Sequence, residues 1–145
     1  MVLKIDPSGE DLRKVLRDYQ EEALRFIWTR GEKGANSRET WLHVNETLRG
    51  KRKISRASII NFLNAMCDEG VLNYREETCK GGNRRIYTPK LDEAGFRLHI
   101  AETVLESLLR DWPDETITAF THSIKDKPGL KSRVEAILEE KAPPH

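Results

Sequence analysis

The sequence predicts a mainly α-helical fold with one small β-hairpin and further helices after it. Most of the chain carries apolar residues at intervals of three and four, the period of an amphipathic α-helix. After Gly70 the pattern changes to the alternation of a β-strand in two short runs, residues 71–75 and 84–88. The segment CKGGN between these runs has the glycines and asparagine of a flexible hairpin loop, and Pro89 ends the pairing.

Capping residues predict where the first two helices begin. Asp18 can cap the amide of Glu21 while the Glu21 side chain reaches back, which is the arrangement of a capping box. Asn36 and Glu39 have the same spacing and predict the start of the second helix. In each case an apolar stripe at helical spacing follows the capping pair.

The ends of the chain give further elements. Ser8 and Asp11 have the spacing of a short helix start, and after the hairpin Asp92 is placed to cap a long helix that ends at Trp112. Asp114 is placed to cap a shorter helix, and the loop KDKPG precedes a final one. The predicted organisation is an N-terminal extension (1–15), a first domain (16–90), a helical region (91–140) and a flexible tail (141–145).

Two helices, a basic turn, a third helix and a hairpin are the plan of a winged helix-turn-helix domain, in which the third helix enters the DNA major groove. Here the third helix extends from Ser55 to about Glu69. At about 100° per residue its apolar face separates from an outer face of small and amide-bearing side chains, which suit close approach to base edges. The predicted buried face holds Ile59, Ile60, Phe62, Leu63, Met66 and Cys67, and the outer face holds Ala57, Ser58, Asn61, Asn64, Ala65 and Asp68.

Positive charge is concentrated in the middle of the chain. The segment from Arg49 to Lys90 carries ten basic and four acidic residues, so its net charge is +6 within a chain whose total is +1. Such a patch attracts a polyanion, and cations on both sides of a helix can contact the phosphates of a duplex. The sequence therefore predicts a duplex-DNA interface made of Lys51, Arg52, Lys53, Ser55, Arg56, Ala57, Ser58, Asn61, Asn64, Lys80, Arg84 and Arg85.

The helical region after the hairpin carries three apolar stripes that the first domain is too small to cover. A second copy of the same helices can cover them through a two-fold interface, and two-fold symmetry in turn favours a palindromic DNA site. The alternative is that these helices fold back on the first domain. The predicted dimer interface consists of Ala101, Val104, Leu105, Leu108, Leu109, Trp112, Ile117, Phe120, Val134, Ile137 and Leu138.

Several function classes lack support in the sequence. No phosphate-binding loop, HExxH or GxSxG motif is present, so an enzyme is not expected. The cysteines and histidines lack the spacing of metal ligands, and neither a metal nor a cofactor is expected. The chain has no apolar run long enough to span a membrane and no signal peptide, which predicts a cytoplasmic location. The open alternative to DNA binding is a winged-helix module that binds another protein of a transcription assembly.

Three stretches resemble the penicillinase-repressor family, the BlaI, MecI and CopY type regulators. They are LRDYQEEALRFIW in the first helix, ISRASIINFLNAMCDEG in the third, and RRIYTPKLDEAGF at the end of the hairpin. The most specific feature is the combination of Ile27-Trp28 with the YTP motif at Tyr87 to Pro89, and the resemblance covers roughly residues 16–140.

This resemblance implies a homodimeric repressor that reads a palindromic operator, with groove-contacting positions at Ala57, Ser58 and Asn61. The cysteine-rich C-terminal pattern of the copper-responsive branch is absent, which argues against metal sensing. Ala119-Phe120 stands in place of the Asn-Phe type of cleavage site of the penicillinase branch. The inducing ligand or protease is therefore left open.

Overall fold

The computed structural model describes residues 3–140 and confirms the mainly α-helical fold with one β-hairpin. The predicted tail, residues 141–145, lies outside the described residues. Two 3₁₀ turns, Asp11–Lys14 and Gly31–Lys33, accompany the main elements, which are α1 (Asp18–Arg30), α2 (Ser37–Thr47), α3 (Arg56–Asp68), β1 (Leu72–Cys79), β2 (Gly82–Pro89), α4 (Glu93–Asp111), α5 (Pro113–Lys125) and α6 (Pro128–Glu140).

Contacts divide the chain into two compact units, Met1–Leu98 and His99–His145, and the division falls within α4. The first unit contains α1, α2, α3 and the hairpin, and its core is formed where the apolar stripes of the three helices meet. Leu24, Val44 and Leu63 are fully buried there, one from each helix. No helix within residues 3–140 is long and apolar enough to cross a membrane. The domain boundaries expected from the sequence stay predictions.

The cap predicted for α2 is confirmed. The Asn36 side chain accepts from the Glu39 amide at 2.8 Å, and the Glu39 carboxylate accepts from the Asn36 amide at 3.0 Å. Both bonds satisfy amides that the first turn of α2 leaves without helical partners. Ser55 caps α3 by accepting from the Ser58 amide at 3.1 Å, and Gly70 follows the helix with a φ of +82°.

The caps predicted at Asp18 and Asp114 are wrong. The chain is already helical at Asp18, so the Asp18 carboxylate does not cap the amide of Glu21. It accepts instead from the Tyr19 amide at 2.7 Å. Gln20 supplies the start signal for α1, because its side chain accepts from the Arg17 amide at 2.9 Å. In α5 a proline occupies the first turn and Trp112 is the residue before the helix. The predicted loop KDKPG is shorter than expected, because α6 already begins at Pro128.

The hairpin is longer and tighter than the sequence predicts. Its eight residue pairs extend from Leu72 opposite Pro89 to Cys79 opposite Gly82, so only two residues form the turn. The interpretation of CKGGN as a flexible five-residue loop is therefore wrong. Gly81 has a φ of +93°, a conformation in which a side chain would be strained, and this glycine allows the strands to pair up to the turn.

The base of the hairpin is bonded to the loop between α1 and α2. Ala35 and Tyr87 exchange two backbone hydrogen bonds, of 3.1 and 2.8 Å. Arg75 of β1 donates to the backbone carbonyls of Glu32 and Lys33, each at 3.0 Å. At Gly34 the two backbones approach so closely that a Cβ atom would lie 2.5 Å from the Tyr87 carbonyl oxygen. These contacts fix the position of the hairpin relative to the start of α2.

The N-terminal extension and the start of α4 both pack on α1. Leu12 is buried in the extension, and the Asp11 carboxylate accepts two hydrogen bonds from Arg97, at 2.9 and 3.0 Å. The helix predicted to begin at Ser8 is only a 3₁₀ turn that begins at Asp11. The Trp28 indole donates to the Leu91 carbonyl at 2.9 Å, which ties α1 to the residues just before α4.

The second unit buries almost none of its side chains. Among its described residues, 99–140, only Ile100 falls in the buried class. Val104, Leu108 and Val134 are half-buried. The remaining side chains of the predicted dimer interface are exposed in the isolated chain: Ala101, Leu105, Leu109, Trp112, Ile117, Phe120, Ile137 and Leu138.

Gly34→Ala should lower the free energy of unfolding by about 3 kcal/mol, because it combines an unfavourable φ with a clash against backbone atoms that cannot move aside. Gly50→Ala is the matched control, since Gly50 has a φ of +86° but no atom within 4 Å of its added Cβ. We expect the control substitution to lower the free energy of unfolding by about 1 kcal/mol. Urea denaturation measures both values, and equal losses would contradict the close approach at Gly34.

Candidate nucleic-acid interface

Helix α3 has the two faces expected from its sequence. Ile59, Phe62, Leu63 and Met66 are buried. Ile60 and Cys67 are only half-buried, so their prediction as core residues is wrong. On the outer face Ala57, Asn61 and Asp68 are exposed, whereas Ser58, Asn64 and Ala65 are half-buried.

A groove of about 590 Å³ lies between the start of α2, one side of α3 and the hairpin. Its lining includes five cationic side chains and no carboxylate: Arg38, Arg56, Lys80, Arg84 and Arg85. Such a concentration of one sign of charge in a concave surface focuses the electrostatic potential and favours an anionic ligand. The geometry is suited to the phosphates of a nucleic acid that lies along α3.

The groove brings together five of the residues predicted for the interface, namely Arg56, Asn64, Lys80, Arg84 and Arg85. The three cations of the turn after α2 line a different depression, with Asn45 and Arg49. Ser55 and Ser58 are engaged with each other, since the Ser55 hydroxyl donates to the Ser58 hydroxyl at 2.9 Å. Ala57 and Asn61 lie on the exposed face of α3, outside the groove lining.

Arg38 is the cation that the sequence reasoning missed. It is the second residue of α2, two positions after the capping residue Asn36, and its side chain lines the groove opposite the hairpin. Arg38 precedes the basic segment from Arg49 to Lys90 and stands apart from it in the sequence. A cation in the first turn of a helix lies at the positive end of the helix dipole, which is unfavourable. A residue placed against this preference is a candidate for a functional role, and this signal was present in the sequence.

The predicted cations differ in how they are paired. Arg52 forms an ion pair with Asp18 and its guanidinium lies 5.5 Å from the centre of the Tyr19 ring. Arg84 lies 3.8 Å from the carboxylate of Glu77, its cross-strand partner in the hairpin. No ion pair involves Arg38, Arg56 or Lys80 within the part of the chain that the structure describes, 3–140. Their charge is therefore available to an external anion.

A hydrogen-bonded cluster joins α3 to the hairpin. The Asn64 side-chain oxygen accepts from the Tyr87 hydroxyl at 2.6 Å and from the Arg85 guanidinium at 3.1 Å. Arg85 also lies 4.0 Å from the centre of the Tyr74 ring, in a cation–π contact. Burial raises the pKa of Tyr87 above its usual value, so its hydroxyl stays protonated at neutral pH and remains a donor.

The two cysteines take no part in this charge pattern. Burial raises the pKa of the Cys67 thiol to about 11, so it is protonated and unreactive at neutral pH. Cys79 is half-buried, and its sulfur lies 3.1 Å from the Gly82 carbonyl oxygen. Among residues 3–140 no three potential metal-ligating side chains come together.

Arg52→Ala should lower the free energy of unfolding by about 1 kcal/mol, because it removes both an ion pair and a cation–π contact at the surface. Lys53→Ala, a neighbouring exposed cation with no ion pair within residues 3–140, should leave it unchanged. Thermal denaturation of both variants tests this difference. An equal effect of the two substitutions would mean that Arg52 does not support the fold.

The model of the penicillinase repressor family matches residues 16–140 of the chain. A search among curated proteins gives no significant match. The family match covers α1 to α6 and therefore includes the groove, the outer face of α3 and the second unit. The chain belongs to the penicillinase repressor family of DNA-binding transcriptional repressors.

Proposed function

We propose that this chain is a homodimeric repressor that acts in the cytoplasm and binds a palindromic operator in duplex DNA. The observation that carries the proposal is the groove beside α3, whose five cations face no carboxylate in its lining. A duplex placed against this surface has its phosphates next to positive charge on both sides of the helix that enters the major groove.

Bases and phosphates are contacted by different parts of this surface. Asn61 is exposed on the outer face of α3 and has the donor and acceptor that together form a bidentate contact with adenine. Ala57, one turn earlier, is small enough for the helix backbone to approach the bases closely. Arg38 and Lys80 lie on α2 and on the hairpin turn, where their charges attract phosphates without reading sequence.

The exposed apolar surface of the second unit supports the homodimer. Trp112 is 60% exposed, Ile117 58% and Leu138 69% in the isolated chain. Such exposure of large apolar side chains is unfavourable in water, and the second unit buries only Ile100 among its described residues. A second copy carries the same stripes and buries them through a two-fold interface. The α3 helices of the two protomers, related by the two-fold axis of this interface, then face the two half-sites of a palindrome.

Binding to duplex DNA should weaken steeply as salt is added. Neutralisation of about six phosphates per dimer gives a log-log slope near −5, since each contact contributes about −0.9. Arg38→Ala should bring the slope closer to zero by about 2, because one contact per protomer is lost, and it should weaken binding to all sequences equally.

Fluorescence anisotropy with a selected duplex at several salt concentrations measures these slopes. Lys127→Ala is the control, because it removes the same charge from the turn between α5 and α6, outside the groove. A flat salt response of the wild-type protein would argue against DNA binding through this surface. A change of slope in the control equal to that of Arg38→Ala would mean that the groove is not the phosphate site.

Leu105→Glu should dissociate the dimer, because association would bury an unpaired carboxylate. Leu105 is 45% exposed in the isolated chain, so the substitution is tolerated by the monomer. Ser107→Glu adds the same charge to an exposed, already polar position of α4 and should leave the dimer intact. Analytical ultracentrifugation at micromolar concentration distinguishes the states, and a wild-type species of 16.7 kDa would refute the homodimer.

A further inference from the structure

The two asparagines of α3 differ in their hydrogen bonding. Asn61 is exposed and its side chain has no hydrogen-bond partner within residues 3–140. Asn64, almost one turn later, is half-buried in the groove lining, and its oxygen accepts from both Tyr87 and Arg85 of β2. The two asparagines therefore differ in what they offer to a ligand: the side chain of Asn61 is unbonded, whereas the oxygen of Asn64 already accepts two hydrogen bonds.

The chemistry of the partners fixes the orientation of the Asn64 carboxamide. A guanidinium has donors only, so the carboxamide atom that faces Arg85 must be the oxygen. The Tyr87 hydroxyl, which donates at 2.6 Å, favours the same orientation. Reversal of the carboxamide would place its NH₂ group against the Arg85 donors and would lose the hydrogen bond from Arg85.

The amide nitrogen of Asn64 remains available. It has no hydrogen-bond partner in the described part of the chain, and every buried side-chain nitrogen or oxygen in that part is paired. The nitrogen is thus accessible from the groove that Asn64 lines. It offers N–H donors, while the oxygen that a bidentate adenine contact also requires is already occupied by two donors.

We propose that Asn64 contacts DNA as a hydrogen-bond donor only, with its carboxamide oriented by Tyr87 and Arg85 of the hairpin. Its partner is a hydrogen-bond acceptor in or beside the major groove: a base acceptor, such as a purine N7, or a phosphate oxygen. Asn61 keeps both its donor and its acceptor and contacts adenine bidentately. This inference rests on the proposed function and adds a direct DNA contact by a residue that the hairpin positions.

The test pairs chemically modified duplexes with protein variants. Within a selected operator, each purine is replaced in turn by its 7-deaza analogue and each phosphate by a methylphosphonate, which removes one acceptor at a time. At the position that Asn64 contacts, we expect the modification to lower the affinity of the wild-type protein between about threefold and tenfold, because one hydrogen bond is lost. Asn64→Ala should be insensitive to that modification, since its donor is already missing. A deaza effect identifies a base as the partner, and a methylphosphonate effect identifies a phosphate.

Asn64→Asp is the second variant, because it keeps an oxygen for Tyr87 and Arg85 and removes the donor. Its added negative charge should weaken binding to every duplex alike, so the response to the modification is the quantity compared. We expect this variant to retain the wild-type melting temperature and to lose the sensitivity to the modification in the same way as Asn64→Ala. Tyr87→Phe should reduce that sensitivity and leave the position contacted by Asn61 unchanged, an outcome that a merely structural role of Tyr87 would not produce. Asn61→Ala is the matched control, whose loss of sensitivity falls at a different position.

The outcomes separate this inference from the proposed function. If the wild-type protein binds no duplex with salt-dependent affinity, both are overturned. If it binds DNA but Asn64→Ala and Asn64→Asp keep the wild-type response to every modified duplex, the donor role of Asn64 alone is overturned. One further result would overturn the donor role. If Asn64→Ala loses its preference for adenine at a position where the wild-type protein requires both N6 and N7 of that adenine, the Asn64 oxygen must accept a hydrogen bond from DNA.

Discussion

The backbone contact between Ala35 and Tyr87 is the constraint on which the arrangement of the interface depends. Its two hydrogen bonds join the hairpin to the loop that leads into α2, and the absence of a side chain at Gly34 allows the approach. The groove exists because this contact holds the hairpin on one side and the first turn of α2 on the other. It also places the Tyr87 hydroxyl against α3, so the same residue organises backbone and side-chain contacts.

Positive charge in this domain has two separate physical roles. Arg52 and Arg75 use their guanidinium groups to hold segments together, one through an ion pair with Asp18 and the other through backbone carbonyls. Arg38 and Lys80 have no such partners within residues 3–140 and contribute to the potential of the groove. A count of basic residues cannot separate these roles, because the difference lies in contacts between residues distant in sequence.

The periodicity of apolar residues was sufficient to predict the fold, including three helices and a hairpin, and the Asn36 cap was sufficient to predict where α2 begins. These features depend on neighbours a few residues apart. Local signals were insufficient at the start of α1, where the spacing of Asp18 and Glu21 predicts a cap but Gln20 bonds to the Arg17 amide instead. They were also insufficient for the site. The contact of Asn64 with Tyr87 joins residues 23 positions apart, so no spacing rule could reveal that one oxygen of the predicted interface is already occupied.

The two C-terminal helices, α5 and α6, have 13 residues each and bury no side chain of their own. Helices of this length are marginal in water without packing. Under the proposed homodimer their folding is a bimolecular step, so their stability depends on the concentration of the protein itself. Occupancy of an operator then rises with roughly the square of the protein concentration at low abundance. A small decrease in cellular copy number would release the controlled genes more sharply than binding by a stable monomer would allow.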